Sequence, residues 1–465
     1  MKKYLLKTLS LLLCVILLLG ILTACSSSEP TAELEKETST PSSSEKAPES
    51  PAKEEPKEEA PAKKGTVTIM SSKDNWYPGF DDVCKQIEEN HGISVELTLV
   101  DDGSYYDLMG VKLATGDAPD IFMANAPQYV EQFNAPTNCV ALDDQPWVSR
   151  LADEAGLRYS GDGKIYAMPV YSARTFYGGI YYNKDVMEAC GITDPNPATY
   201  EEFLEICQTV KDAGYIPIWM TDQDAWTTQV WTTVGWGVAL DSKKDTIYDQ
   251  LNSNQIDYQD IPELIDVLQR LQDLHTAGFC NEDHLSSAYE TGFAALGENK
   301  AAMVVSGEFY VSACKQAYPD VNLGSFAIPF VDGQETIIGV GAFANGAYVP
   351  KGDNQELALE FLNLWSQPEQ MALIYEVNGV ASAFTDCEGG EMDPSVQKFV
   401  DEYIETGKCT REFDSYFDSS RPVMNDTLFN GIVECTAGSK TPEEVLTEYN
   451  VKFEQYMSEM EFEGF

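Results

Sequence analysis

An α/β fold of two lobes with a ligand cleft between them is what this sequence predicts, and three observations carry the prediction. The chain has 465 residues, more than one ordinary hydrophobic core serves. From residue 66 onward, short β-rich runs alternate with amphipathic helical stretches. Aromatic, acidic and amide residues gather where those strands would end, and ligands of such sheets sit at the carboxyl ends of strands. The composition is globular, 43% hydrophobic and 11% aromatic. The formal net charge of -46 argues against nucleic acid, whose phosphates need Lys and Arg. It also disfavours an anionic membrane surface. It leaves the ligand's charge open, since a solubilising surface gives the same total.

The first residues read as an export signal. Lys2, Lys3 and Lys7 precede an apolar run from Leu11 to Leu22, too short and wrongly flanked for a stable membrane span. The run ends Leu22-Thr23-Ala24-Cys25, which resembles a bacterial lipobox. In such signals residues 1–24 are removed and the new N-terminal Cys25 is acylated. Residues 26–64 hold Leu34 as their only large apolar residue and no aromatic. They cannot bury enough surface to offset their ordering entropy. Residues 25–64 are therefore expected to be a lipid-anchored linker, spanning roughly 35 Å as a coil. The expected location is the outer face of the cell membrane.

The elements follow in order. Thr66 to Met70 alternates as a strand. Phe80, Val83, Cys84 and Ile87 mark a helix that Gly92 stops. Ser94 to Val100 is a second strand, Tyr105 to Thr115 a second helix, and Asp120 to Met123 a third strand. Pro127 to Phe133 reads as the start of another helix. The alternation predicts a mainly parallel sheet. The loops Ser71 to Gly79 and Ala124 to Gln128 would then face the ligand.

Gly161 to Asp185 reads as the first crossing between lobes. Its two strand-like runs, Ile165 to Tyr171 and Gly179 to Tyr182, flank an aromatic and cationic patch of Tyr171, Arg174, Phe176 and Tyr177. A surface hairpin is the plainer alternative. Then come a helix from Lys184, a Thr199/Glu202 capping box, a strand at Ile216 to Met220 and a Trp-rich stretch from Asp222 to Trp236. Ile261 to Ala277 is amphipathic. Ala301 to Val305 is a strand with Glu308 and Phe309 just beyond it. Gly324 to Phe330 looks like a second crossing strand. Phe343 centres a Gly-rich segment, and Trp365 lies on a buried helix stripe. The rest is mostly helical, with a helix start at Thr441-Pro442-Glu443-Glu444. Lobe 1 is expected over 65–170 and 331–385, and lobe 2 over 171–330 and 386–465.

Five stretches together resemble the sugar-binding proteins of ABC importers, the maltose type of extracellular solute-binding protein. They are Leu113-Ala114-Thr115-Gly116-Asp117-Ala118-Pro119-Asp120-Ile121, Gly163 to Pro169, Ile180 to Asp185, Asn299 to Gly307, and Glu356 to Trp365. The resemblance covers about residues 66 to 460. It implies two α/β lobes joined by two or three crossings, with hinge closure on the ligand. Carried over by position, Asp74 and Asn75 match a polar loop after the first strand. Asn125 and Gln128 lie near polar contacts after the third. Asp224 and Trp226 match an acidic-then-aromatic pair. Phe309 stands where the family often has a stacking tryptophan, and Asn425 and Asp426 fall near another ligand-facing aromatic position. The Arg174 segment is longer than in the maltose type, so a maltose-like pocket is not expected.

Sugars present C–H faces to aromatic rings and hydroxyls to Asp, Asn and Arg. Asp222, Asp224, Trp226 and Trp231 offer both kinds of group, and Trp76 and Arg174 add to them. Trp231 could equally be core. No nucleophile elbow, zinc-protease, phosphate-loop or dinucleotide motif occurs. His91, His275 and His284 are expected to be solvated. No Cys-x-x-Cys and no spaced acidic loop point to zinc or calcium. Neither a metal nor a cofactor is implied. Nine cysteines remain beyond Cys14 and Cys25, and most are expected to be free and buried. The expected function is capture of a sugar or oligosaccharide outside the cell, by a monomer that delivers it to an ABC permease and catalyses nothing. A receptor for another polar or cationic solute, such as a polyamine, and a glycan-degrading enzyme are the alternatives.

Overall fold

The computed structural model describes residues 62–170, 178–341, 344–417, 421–462 and 464–465. Cys25, nearly all of the linker, Tyr171, Arg174, Phe176, Tyr177 and Phe343 lie outside the described residues. The chain divides into two units, Met1–Glu58 and Glu59–Phe465, and every element below belongs to the second.

The strands are β1 (Gly65–Ser72), β2 (Ile93–Val100), β3 (Ile121–Ala126), β4 (Ala167–Pro169), β5 (Gly179–Asn183), β6 (Ile216–Trp219), β7 (Ala301–Ser306), β8 (Leu323–Ala327), β9 (Ile338–Val340), β10 (Ala344–Tyr348) and β11 (Cys409–Arg411). They form a five-stranded sheet in the order β2-β1-β3-β10-β4, a four-stranded sheet in the order β6-β7-β5-β8, and the small pair β11-β9. Each large sheet has its own buried clusters, so the fold is two α/β lobes.

The sheets are mixed, where a mainly parallel sheet was expected. β1 runs parallel to β2 and β3, but β10 runs antiparallel to β3 and β4. In the second sheet β5 opposes both neighbours. The cause is the return of the chain between lobes: a strand arriving from the other lobe needs no helical crossover, so nothing enforces parallel entry. Among the described residues the chain passes between the sheets three times, from β4 to β5, from β9 to β10, and after Phe384, where Phe399 joins a core of the second lobe. The Gly324–Phe330 stretch is not itself a crossing. Its strand β8 is the edge of the four-stranded sheet, and the second passage comes only after Val340.

Local sequence explains most elements. In β1, Val67 and Ile69 are buried between more exposed threonines. The helix Phe80–His91 buries Phe80, Val83 and Ile87 on one stripe and ends at Gly92 in the left-handed conformation. Asp120, in the Pro-Asp signature, has a structural job. Its Oδ2 accepts from Thr68 N and Thr68 Oγ1, each at 2.8 Å, and from Asn354 Nδ2 at 3.0 Å. One carboxylate thus ties β1, the entry to β3 and the helix Gln355–Trp365.

In the second lobe the helix Gln229–Ala239 is buried all round, from Gln229 to Val238. Trp231 and Trp236 donate from Nε1 to Val267 O (3.0 Å) and Leu264 O (2.9 Å) of the amphipathic helix Pro262–Thr276. Gly237 lets this helix press on β11, since a Cβ there would lie 2.6 Å from Arg411 O. The last helix, Pro442–Glu459, opens with a full capping box between Thr441 and Glu444. At Thr199 only half of the box forms. Thr199 accepts from Glu202 N, while the Glu202 carboxylate takes the N–H of Ala198.

Pro127 to Phe133 does not start a helix. It runs as successive turns, with Val130 N donating to Pro127 O and Asn134 N to Glu131 O, before a single helical turn at Ala135–Asn138. Cys84, Cys139, Cys190, Cys207, Cys280, Cys314, Cys387 and Cys435 are free thiols, four of them buried. Burial pushes the Cys84 and Cys139 thiols up to about 12, which makes them inert at neutral pH.

Candidate functional site

A cavity of about 570 Å³ opens where the two lobes face each other. Much of its wall is built from segments that follow strands at their carboxyl ends, as expected for such sheets. Lys73 to Pro78 follow β1, Tyr106 and Asp107 follow β2, and Asn125, Tyr129 and Gln132 end or follow β3. From the second lobe come Gln223 to Trp226 after β6, Glu308 and Phe309 after β7, then Tyr289, Glu290 and Phe293. Asn425, Asp426 and Phe429 close one side, and Gly379 to Ala381 another.

The first lobe presents a polar relay and a stacked pair. Asn345 Nδ2 donates to Asn75 Oδ1 at 2.9 Å, and Asn75 Nδ2 donates to Tyr106 OH at 3.0 Å. The Tyr106 ring lies 4.4 Å from Tyr129 at 13°, a stacked pair. Tyr129 OH accepts from Asn425 Nδ2 at 3.2 Å, a hydrogen bond that joins the lobes. Trp76 is partly buried. Its Nε1 donates to Asp81 at 3.1 Å and its ring meets Phe80 and Trp365 edge-on.

The second lobe presents an aromatic trio. Trp226 lies 5.0 Å from Tyr289 and 6.1 Å from Phe309, both tilted. Among the described residues, Trp226 Nε1 is buried and has no acceptor, as is Asn345 Oδ1 on the opposite wall, which lacks a donor. Such groups cost stability unless something else satisfies them. Asp224 accepts from Tyr289 N at 2.7 Å. Burial raises its carboxyl above the usual range, the Tyr289 N–H opposes this, and the Glu290 charge adds to it. Burial, then the neighbouring Asp107, raises Asp426 in the same way. Apolar rings, amides and partly desolvated carboxylates therefore share one cavity. That set suits a polyhydroxylated ligand with apolar faces.

Asp74, Asn75, Trp76, Asn125, Asp224, Trp226, Glu308, Phe309, Asn425 and Asp426 all line this cavity. Three expected residues do not. Gln128 is buried at 3% exposure beside the wall, and its neighbour Tyr129 faces the cavity instead. Trp231 is 1% exposed and packs in the core against Phe203 and Phe330. Asp222 is 5% exposed and lies behind the wall, held by His284 and Thr436. Tyr171, Arg174 and Phe343 fall outside the described residues. Tyr106, Tyr129, Tyr289 and Phe293 are lining residues that sequence reasoning missed. Tyr106 and Tyr129 had a usable signal, a tyrosine shortly after each of two strands.

The family model for the bacterial extracellular solute-binding protein matches residues 82–398 of this chain. The chain is a bacterial extracellular solute-binding protein. Members of this family bind solutes for transport and are not enzymes. This solute-binding protein is 23% identical over 324 residues to the multiple sugar-binding protein of Streptococcus mutans serotype c, a match covering 68% of this chain and 74% of that one. A chitin oligosaccharide binding protein superposes with a TM-score of 0.70 at 20% identity, over 84% of this chain and 99% of its own. A sugar transporter from Bacillus licheniformis in complex with stachyose gives 0.67 at 21% identity, over 84% and 100%. At such identities the two structures speak for the fold of the solute-binding protein, two lobes around a cleft.

Proposed function

We propose that this solute-binding protein captures a sugar or oligosaccharide in the cleft and delivers it to the permease of an ABC importer. The observation that carries this reading is the joint presence, in one cavity, of the stacked Tyr106–Tyr129 pair, the Trp226–Tyr289–Phe309 trio and the amides and carboxylates between them. Rings take the C–H faces of a pyranose, and Asn75, Asp224 and Asn425 take hydroxyls. The volume falls within the ~300–1,000 Å³ of small-molecule sites. The sugar names borne by several relatives support the same class. Ligand contacts to both walls would favour closure, and the Asn425–Tyr129 hydrogen bond is a starting latch.

Calorimetric titration of the purified protein against mono- and oligosaccharides tests this. Saturable binding of one saccharide class is the expected result. A second reading, a cationic solute, is favoured by the acids Asp74, Asp107, Asp224, Glu290, Glu308 and Asp426 around the cavity. Polyamines and basic amino acids therefore belong in the same panel, and tight binding of those with no sugar bound overturns the carbohydrate reading. The lipobox at Cys25 and the tether behind it support anchoring to the outer face of the membrane, within reach of the permease.

A further inference from the structure

Two of the chain's three histidines meet one buried carboxylate, contrary to the solvated roles expected of them. His284 Nδ1 lies 2.7 Å from Asp222 Oδ2, and His275 Nε2 lies 4.0 Å from the same oxygen. The imidazole rings are 4.3 Å apart between centres. Side-chain exposure is 3% for Asp222, 7% for His275 and 12% for His284. The three donor atoms all lie within 4.8 Å of one another. A second observation sets the group apart from ordinary hydrogen-bonded histidines. Among the described residues, His275 Nε2 is buried without a hydrogen-bond partner, although it lies within 4.8 Å of the Asp222 oxygen and the His284 nitrogen. A buried nitrogen left so is costly in the bare protein.

We propose that Asp222 Oδ2, His275 Nε2 and His284 Nδ1 bind one divalent transition-metal ion of the zinc class. Two imidazoles and a carboxylate converging on one point are the donors such ions take, at ~2.0–2.2 Å. Calcium and magnesium prefer all-oxygen sets. Three protein donors leave a fourth position for water. Thr436 Oγ1, which donates to Asp222 Oδ2 at 2.7 Å, orients the carboxylate from outside. His284 would bind the ion through an Nδ1 that carries no proton, which leaves Nε2 as the ring's N–H.

The donors come from separate pieces of the second lobe. Asp222 precedes Asp224 and Trp226, His275 ends the helix Pro262–Thr276, and His284 opens the turn leading to Tyr289. The ion would fasten the wall of the cavity from behind. That consequence rests on the cavity being the ligand site, while the metal site itself does not.

The mature lipoprotein, purified in detergent and stripped with chelator, is titrated with zinc chloride by calorimetry and with cobalt(II) by absorbance. One ion per chain is expected, with a visible tetrahedral cobalt spectrum and none of the near-ultraviolet charge transfer that a cysteine ligand gives. His275→Gln, His284→Gln and Asp222→Asn should each weaken zinc by about 100-fold or more, while His91→Gln leaves it unchanged. Circular dichroism establishes which variants fold, and if none does, the cobalt spectrum and stoichiometry of the unaltered protein decide. Thiolate charge transfer, substoichiometric binding, or full affinity in a folded His275→Gln protein overturns the site. Sugar affinity is measured separately with and without zinc, so a failure of the sugar reading leaves the metal result intact.

Discussion

Trp226 and Trp231 stand five positions apart and have opposite jobs. Trp226 leans on Tyr289 at the cavity wall, so Trp226→Ala should weaken ligand binding by about 1 to 3 kcal/mol with little change in unfolding midpoint. Trp231 fills the core and donates to Val267 O. Trp231→Ala should lower unfolding free energy by about 3 to 5 kcal/mol, read by denaturant titration. Asp224 gives a pH signature. Because burial raises its carboxyl, protonation removes a hydroxyl acceptor at a higher pH than an ordinary carboxylate would. Affinity should therefore fall on mild acidification, and Asp224→Asn should flatten the profile. For stability the sign is opposite. The raised carboxyl favours the fold at low pH, and that contribution is lost as pH rises through its folded value. At this scale residue type was legible and direction was not. Trp226 and Trp231 share a helical stretch, and only the packing of Phe203 and Phe330 turns one inward. The pairing of His275 and His284 is illegible for the same reason, since their partner Asp222 lies more than fifty residues away in sequence.

Helices were the legible elements, because their period is written locally. Phe80, Val83 and Ile87 gave the stripe, and Gly92 gave the stop. Strand direction was not legible. β10 pairs antiparallel with β3 across more than two hundred residues, and no local pattern encodes a partner so distant. Pro127 to Phe133 failed for a related reason. Tyr129 and Phe133 are held by stacking on Tyr106, and that tertiary pull outweighs a short segment's helical preference. The loop after β1 carries a further constraint. Gly79 has φ of 89°, and a Cβ there would lie 2.6 Å from Leu373 O. Gly79→Ala should cost more than about 1 kcal/mol in unfolding free energy and shift the loop that presents Asp74 to Trp76. A variant as stable as the parent, measured by chemical denaturation, would show that the loop tolerates the strain.

For the whole molecule, two lobes around a cleft followed from length, alternation and the ordered motifs, and the cavity wall formed where strand ends were expected. The number and place of the passages did not, since they depend on which sheet each late strand joins. The anchor is tested at this scale too. Cys25→Ala should release the protein from the cell envelope into the medium, by fractionation and immunoblot, with ligand affinity unchanged. Retention at the membrane would rule out Cys25 as the anchor.

The strand order β2-β1-β3-β10-β4 also bears on how the protein is made. β3 and β4 have no partner along their facing edges until β10 slots between them. At ~5–20 residues per second, the ribosome needs on the order of ten seconds or more after β4 to supply that strand. Throughout, the growing chain carries two open strand edges of the kind that recruit other chains. The first lobe cannot be completed before most of the second has been synthesised. A helper that shields nascent edges, or holds the chain extended until its end is made, matters more for this protein than its modest strand content suggests.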